Sequence, residues 1–306
     1  MGNNMNFNQL QAFLTLADCL NLTETANIMH CSQPAMTQKI QTLEQEMSTV
    51  LFDRIGKRMY LTRQGEEFRV YASQLVNTLS AAHEHLRQLD NPLKGTVTFG
   101  TSHFVGVYLI PELLSLYKKR APDVIFSIEI RTSQQLLQKL EGNEVEFLFL
   151  SDRIPLDEDR YRLTDFYHDT LVLVCSPNHH LAKVSQCQLA DLRDEPFLIK
   201  PSGSATRSFI FKKLDAENIK LNNLIEISSL EAIKQCVIHN LGVSIISRLA
   251  VSHEIATGRL VELHIGEMIF KRGIRIVQHA EKHMPPATAF FMKEIKFLVD
   301  GLNKTR

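Results

Sequence analysis

The chemistry easiest to read in this chain lies on one short polar face. Gln33, Pro34, Thr37, Gln38 and Gln41 share one side of a helical spacing, opposite the apolar Met36, Ile40 and Leu43. Amides and hydroxyls both donate and accept hydrogen bonds, which suits them to reading base edges. Ser32 has the character of an N-cap for this helix. Pro34 fits its first turn, where a missing N–H costs nothing. The acidic Glu44 and Glu46 lie toward its far end. From Leu51 to Arg63 the chain carries Arg54, Lys57, Arg58 and Arg63 against Asp53 alone, a local excess of +3. Ile55-Gly56-Lys57-Arg58 reads as a tight turn between short strands at Leu51–Asp53 and Met59–Leu61. A basic hairpin tip beside such a helix can reach phosphates or the minor groove. The blander alternative is a small helical bundle with a Gln-rich solvated face.

A second kind of chemistry is carried by three polar stretches, Thr101-Ser102-His103, Arg131-Thr132-Ser133 and Pro201-Ser202-Gly203-Ser204. Each follows an apparent strand and precedes an apparent helix. Helix N-termini present free N–H groups and favour anions, so a carboxylate or other anion is a sensible ligand there. Ser and Thr also cap helices everywhere, so each stretch taken alone reads as a cap. Enzyme constellations are absent from the pattern. His279-Ala280-Glu281-Lys282-His283 lacks the order of a zinc-protease helix, and no nucleophile elbow or P-loop occurs. Cys236 has no local partner that favours a thiol dyad. His179-His180 reads as a surface loop pair rather than a metal site, and no metal or cofactor is expected.

The elements needed to position these residues follow from periodicity. Leu10, Phe13, Leu14 and Ala17 make one amphipathic helix. A second is expected over Leu22–Met29, with Asn21 or Thr23 as cap and Ala26 and Met29 inward. Ser32 opens the third. Two short helices, a tight turn and an amide-rich third helix make a helix-turn-helix, with the third helix as the reader. Next, Phe68, Ala72, Leu75, Leu79, Ala82, Leu86 and Leu89 repeat at alternating steps of four and three. That spacing predicts one long helix with a coiled-coil seam, ended by Asn91-Pro92. The alternative is a helix packed on its own domain. Beyond Pro92, strands at Thr96–Gly100, Ile125–Arg131 and Phe147–Leu150 alternate with helices at Val107–Lys119 and Ser133–Leu140. This βαβαβ run predicts a largely parallel sheet. A similar alternation recurs from Leu171–Cys175 through Phe197–Lys200, Ala205–Glu217, Leu224–Ile227, Leu230–Asn240 and Val243–Ile246. A strand at Lys271–Gln278 and a helix at Ala287–Leu302 complete it. Two α/β lobes in tandem place a cleft between them.

Composition narrows the functional classes. The 306 residues carry 34 Lys and Arg against 34 Asp and Glu, with 44% hydrophobic residues, which fits a globular chain and excludes disordered, collagenous and disulfide-scaffold classes. No apolar run approaches the roughly 20 residues that span a bilayer, so no membrane partner is expected. Met1 to Leu10 is Asn-rich and lacks a secretory pattern, so a cytoplasmic location is expected. Five cysteines, without a C-x-x-C pair, read as buried or indifferent thiols in a reducing compartment. Residues 1–90 hold seven Lys and Arg against nine Asp and Glu. Total charge therefore argues weakly against DNA binding, while its distribution around the hairpin argues for it.

Taken together, Phe7-Asn8-Gln9-Leu10, Phe13, Thr23 to Ala26, Cys31-Ser32-Gln33-Pro34-Ala35-Met36-Thr37, Ile40, Leu43-Glu44, Leu51-Phe52-Asp53-Arg54 and Leu61-Thr62-Arg63-Gln64-Gly65 closely resemble the LysR-type transcriptional regulators. The resemblance extends along nearly the whole chain, through Gly95 to Gly100, Leu109-Ile110-Pro111, Pro177 to Ala182, Leu189-Ala190-Asp191-Leu192 and Asn240-Leu241-Gly242-Val243. It implies a winged helix-turn-helix over residues 1–62 and a dimerising linker helix over 63–91. It also implies a two-lobed α/β effector domain of periplasmic-binding-protein type (type 2) over 92–306. Lobe I would take about 92–167 and 270–306, and lobe II about 168–269. It implies a homo-oligomer, often a dimer of dimers, on a partly palindromic promoter, with RNA polymerase as a further partner. A small-molecule effector in the cleft would change the oligomer's geometry.

By that resemblance the base-contacting positions are Gln33, Pro34, Thr37 and Gln38, with Arg58 and nearby Arg54 on the wing. Ser32, Gln41 and Lys57 join this set from the helix and hairpin pattern. The cleft positions are Thr101, Ser102, Thr132 and Ser202, Gly203 and Ser204, with His103, Arg131 and Ser133 beside them. Three positions depart from the family. Gln38 stands where Arg is frequent, which favours adenine over guanine. Ser247 stands where Pro is frequent. Arg131 stands where small residues are common, and either meets an anionic ligand or pairs with Glu129 or Glu226. A solute-binding protein on the same scaffold would need a signal sequence and no helix-turn-helix; an enzyme would need a catalytic constellation.

Overall fold

The computed structural model describes residues 5–305 apart from 57, 90, 185, 186, 266 and 267. Its N-terminal unit opens with three helices, α1 (Phe7–Cys19), α2 (Leu22–Ile28) and α3 (Gln33–Met47). Each start is capped by a side chain. Asn6 and Gln9 form a reciprocal capping box on α1. Asn21, rather than Thr23, caps α2 by accepting from the Thr23 and Glu24 N–H groups at 2.9 and 3.2 Å. Ser32 caps α3 by accepting from Ala35 N–H at 3.3 Å. The sharp turn between α2 and α3 passes through His30 at φ 49°, a left-handed conformation that His adopts more readily than β-branched residues.

The wing is β1 (Phe52–Ile55) paired antiparallel with β2 (Arg58–Leu61), in the register Ile55 opposite Arg58. Gly56 supplies φ 64° at its tip. Glu44 fixes the wing against α3, its carboxylate accepting from Leu51 and Phe52 N–H at 2.8 and 3.1 Å.

Helix α4 (Arg63–Gln88) starts at Thr62, whose side chain accepts from Gly65 N–H at 2.9 Å. A Cβ on Gly65 would lie 2.1 Å from the Leu51 carbonyl, so only glycine lets α4 approach the wing this closely. The expected seam divides here. Phe68 and Ala72 do not face outward; they are buried in the helix-turn-helix core, with the Phe68 ring 4.9 Å from that of Phe13. Leu75, Leu79, Leu86 and Leu89 are 51, 41, 64 and 57% exposed, and Ala82 is exposed with them. Heptad spacing sets the face of a helix but not what covers it. The first turns of α4 are covered by α1, and the later turns are not.

The C-terminal unit follows. Strand β3 (Gly95–Thr101) leads through α5 (His103–Tyr108) and α6 (Ile110–Lys118) to β4 (Val124–Ile130), then α7 (Ser133–Glu141) and β5 (Phe147–Ser151). The single helix expected over 107–119 is two, because Pro111 cannot extend the α5 run. The long β6 (Tyr161–Cys175) crosses into the second lobe. There lie β7 (Phe197–Ile199), α8 (Ala205–Ala216), β8 (Leu224–Glu226), α9 (Leu230–Ile238), β9 (Ser244–Ser247), α10 (Arg248–Ala256) and β10 (Val261–Leu263). β11 (Phe270–His279) returns and α11 (Pro286–Thr305) closes the chain.

The main sheet runs β10-β6-β11-β5-β3-β4, with β9 also on β6. Only β3 with β4 and β3 with β5 are parallel in it, so the expectation of a largely parallel sheet is corrected. Helical crossovers make those two pairs parallel, whereas β6 and β11 run long and antiparallel through both lobes. Strand β6 is continuous across residues 167 and 168, so the two lobes share strands rather than meeting at a linker. One apolar cluster spans both, from Phe99, Phe147 and Phe291 to Val237 and Val251.

Candidate nucleic-acid interface and ligand cleft

On α3 the side chains of Gln33, Pro34, Gln38 and Gln41 are exposed. Among the described residues the three amides hold no hydrogen bond, so donors and acceptors are all available to a base edge. Thr37 is half-buried and its hydroxyl donates to the Gln33 carbonyl at 3.0 Å, which leaves it as an acceptor. Ser32, exposed, is committed to its cap. On the wing Arg54 and Arg58 are exposed, and Arg54 Nε donates to the Gly56 carbonyl at 3.3 Å. Lys57 lies outside the described residues.

In the C-terminal unit a cleft of about 670 Å³ opens between the lobes. Ser102, His103, Arg131, Thr132, Ser133, Ser202, Gly203 and Ser204 all line it. Residues up to a hundred apart in the chain therefore converge, because each polar stretch follows a strand and starts a helix. Thr132 forms a capping box with Gln135 on α7, and Ser204 caps α8 by accepting from Arg207 N–H at 3.4 Å. Ser102 precedes α5 without using its side chain as a cap. Thr101 is a correction. It is fully buried at the end of β3, does not line the cleft, and bonds its hydroxyl to the Ser102 carbonyl. Strand alternation turns it inward.

Arg131 is half-exposed and pairs with Glu129 at 3.4 Å, while Glu226 pairs with Arg207 at 2.5 Å. The buried cation of the cleft is one that sequence reasoning missed. Arg272 on β11 is 6% exposed, with Nε and Nη2 on Asp169 at 2.8 and 2.7 Å and Nη1 on the Thr206 hydroxyl at 2.6 Å. Its guanidinium lies over the Phe104 ring at 4.9 Å. Ser247 donates to the other Asp169 oxygen at 2.6 Å, so the family departure at 247 supplies a hydroxyl to this pair.

Lys200 also lines the cleft, and burial first, then Arg272, holds its ammonium below its ordinary pKa. Among the described residues no carboxylate pairs with it. His103 Nδ1 is buried and, among the described residues, has no hydrogen-bond partner; burial, then Lys200, holds its imidazole below the usual range. No spacing signal points to Arg272, Lys200 or Asp169, since each sits in an ordinary strand or strand end. Cys175 and Cys187 are buried and their thiols are pushed up to about 11, chiefly by that burial. They are poor nucleophiles.

Comparison with known proteins settles what these two sites belong to. Residues 7–66 match the family described as bacterial regulatory helix-turn-helix protein, lysR family, and residues 90–297 match the LysR substrate binding domain. The chain belongs to the LysR family. The regulator is 32% identical over 265 residues to the uncharacterized HTH-type transcriptional regulator YwqM of Bacillus subtilis, covering 85% of this chain and 88% of that one. Full-length CbnR solved with its target DNA superposes at a TM-score of 0.72 with 21% identity, covering 96% and 99% of the two chains. The regulatory domain of Synechocystis CcmR, solved with 2-PG, superposes at 0.61 with 24% identity over 67% of this chain and 97% of that one. These likenesses show the fold. The two family matches make the regulator a DNA-binding transcription factor with an effector-binding domain; α3 and its wing lie within the matched helix-turn-helix region, and the inter-lobe cleft within the matched substrate binding domain. No helix among the described residues is long and apolar enough to cross a membrane.

Proposed function

We propose that this LysR-type regulator senses a small anion, a carboxylate or phosphate ester, in the inter-lobe cleft and reports it to promoter DNA as a homo-oligomer in the cytoplasm. The observation that carries the ligand class is Lys200. Among the described residues it is an ammonium without a carboxylate partner, set in a cleft with the buried Arg272 and the N-terminal turns of α7 and α8. Arg272 spends three of its N–H directions on Asp169 and Thr206, which leaves others for a ligand. CcmR, with the same fold, was solved with 2-PG, and that supports a small-molecule effector here.

The DNA-reading residues on this proposal are Gln33, Pro34, Thr37, Gln38 and Gln41, with Arg54 and Arg58 on the backbone. The exposed stripe of Leu75, Leu79, Ala82, Leu86 and Leu89 faces a second copy, so that two reader helices meet two half-sites. RNA polymerase is the partner through which promoter binding would act, and no catalytic role is assigned.

The test is calorimetric titration of the full chain with a panel of small carboxylates, phosphate esters and their neutral amides. Anions should bind, and Lys200→Met should weaken them at least about tenfold, the size of one lost charge-assisted hydrogen bond. Neutral amides binding as tightly as the acids would overturn the ligand class. In parallel, Gln38→Ala should relax preference at one base pair per half-site by about 1–3 kcal/mol. An equal loss on every DNA sequence would instead place Gln38 on the backbone.

A further inference from the structure

His179 and His180 stand at the start of a short 3-10 turn, His180–Lys183, on the second lobe. Glu195 lies on the loop before β7. The fold brings the three together. One Glu195 oxygen meets His179 Nε2 at 3.3 Å and the other meets His180 Nε2 at 2.9 Å. The imidazole rings stack with centroids 4.5 Å apart, and the three donor atoms lie within 4.8 Å of one another. Sequence alone reads this His pair as a surface loop. The structure instead buries His179 at 6% exposure, while His180 stays exposed and Glu195 half-buried. The cluster therefore has a rigid inner side and a side open to solvent.

We propose that His179, His180 and Glu195 form a binding site for a divalent transition-metal ion of the zinc, nickel and copper class. Two imidazoles and one carboxylate make the mixed N and O set these ions prefer. Three protein ligands leave a fourth position for water, on the exposed side. Calcium and magnesium are disfavoured, because they demand more oxygen ligands than the cluster offers.

The hydrogen bonds show how loading would work. His179 Nδ1 accepts from Leu181 N–H at 3.3 Å, so without metal its proton sits on Nε2 and points at Glu195. For a metal to bind at Nε2, that proton must first leave, moving to Nδ1 so that the Nε2 lone pair is free for the ion. The Leu181 contact is given up, and the 3-10 turn loses its cap. Glu195 is five residues ahead of Lys200 in the cleft, so the ion would tie this turn to the strand that leads there.

The test uses untagged full-length protein titrated with zinc chloride alone, then nickel and magnesium chlorides, in a non-coordinating buffer. Zinc should bind at one ion per chain, and His180→Asn and Glu195→Gln should each weaken it at least tenfold while thermal melting stays cooperative. Cobalt substitution should add visible absorption of a four-coordinate ion that both variants lose. Zinc binding unchanged by both variants, magnesium binding as tightly as zinc, or no zinc binding at all would each overturn the proposal. His179→Asn is left out of the deciding pair, because a buried change there can unfold the lobe.

Discussion

Arg272 is the side chain on which the cleft most depends, since it joins a nearly water-free ion pair with Asp169 and carries the Thr206 and Phe104 contacts as well. Removing one partner of such a pair leaves a buried charge alone. Arg272→Met should therefore cost about 3–5 kcal/mol at neutral pH. Burial raises the Asp169 carboxyl above its ordinary value, against the pull of Arg272 and Ser247. A raised carboxyl binds its proton more readily in the native chain than in the unfolded one, so its contribution to stability falls as pH rises through that range. Without Arg272 the carboxyl rises further, and the deficit of the variant should narrow as acid is added. Urea unfolding at about pH 7 and about pH 5 reads this; a deficit that is constant or wider in acid contradicts the assignment. None of this pair is visible in sequence. Ser, Thr and Gly runs announce themselves because they punctuate elements, as Ser202 to Ser204 do. Arg272 sits inside a strand whose pattern is unremarkable, and only the fold brings it to Asp169, which is 103 residues away.

Helix α4 shows at the element scale how far periodicity reaches. The alternation of threes and fours from Phe68 to Leu89 identifies the helix and its apolar face, and the helix runs over Arg63–Gln88. It does not reveal that one face serves two masters. Phe68 and Ala72 are buried by α1 and the wing, whereas Leu75 to Leu89 stand open. Two substitutions separate these roles. Phe68→Ala should cost about 3–5 kcal/mol through the cavity it leaves beside Phe13, with the oligomer otherwise intact. Leu79→Asp should leave the helix-turn-helix melting unchanged and split the dimer, read as halved mass in sedimentation equilibrium. Unchanged mass for Leu79→Asp would mean that the stripe is covered by something other than a second copy. Strand β6 was only partly legible for a related reason. Its first ten residues carry Arg162, Asp165, His168 and Asp169, which interrupt the continuous apolar run that marks Leu171 to Cys175 as a strand.

At the scale of the whole molecule the question is how an occupied cleft is felt at the DNA, and α7 offers a physical route. Its N-terminal cap, Thr132, lines the cleft, and its C-terminal carbonyls are held by α4. Gln74 donates to the Glu141 carbonyl at 3.0 Å and Asn77 to the Gly142 carbonyl at 2.7 Å, while Asn143 donates to the Thr78 hydroxyl at 2.9 Å. The Gln74 and Asn77 amides satisfy carbonyls that a helix end otherwise leaves open. One short helix thus lines the cleft at one end and meets the linker helix at the other. A ligand that shifts the first turn of α7 moves the whole rod, because a helix transmits displacement along its axis better than it bends. Coupling of this kind is a free energy shared between two sites, and it is removed without harming either. The double variant Gln74→Ala with Asn77→Ala should keep its affinity for DNA in the absence of ligand, and for ligand in the absence of DNA. What it should lose is the ligand-dependent change in DNA affinity, together with the reciprocal effect of DNA on ligand affinity, typically 5–150-fold between coupled sites. Fluorescence anisotropy of a labelled operator with and without the calorimetrically identified anion measures both. A variant whose ligand response matches that of the parent would show that the signal runs instead through the strands shared by the two lobes.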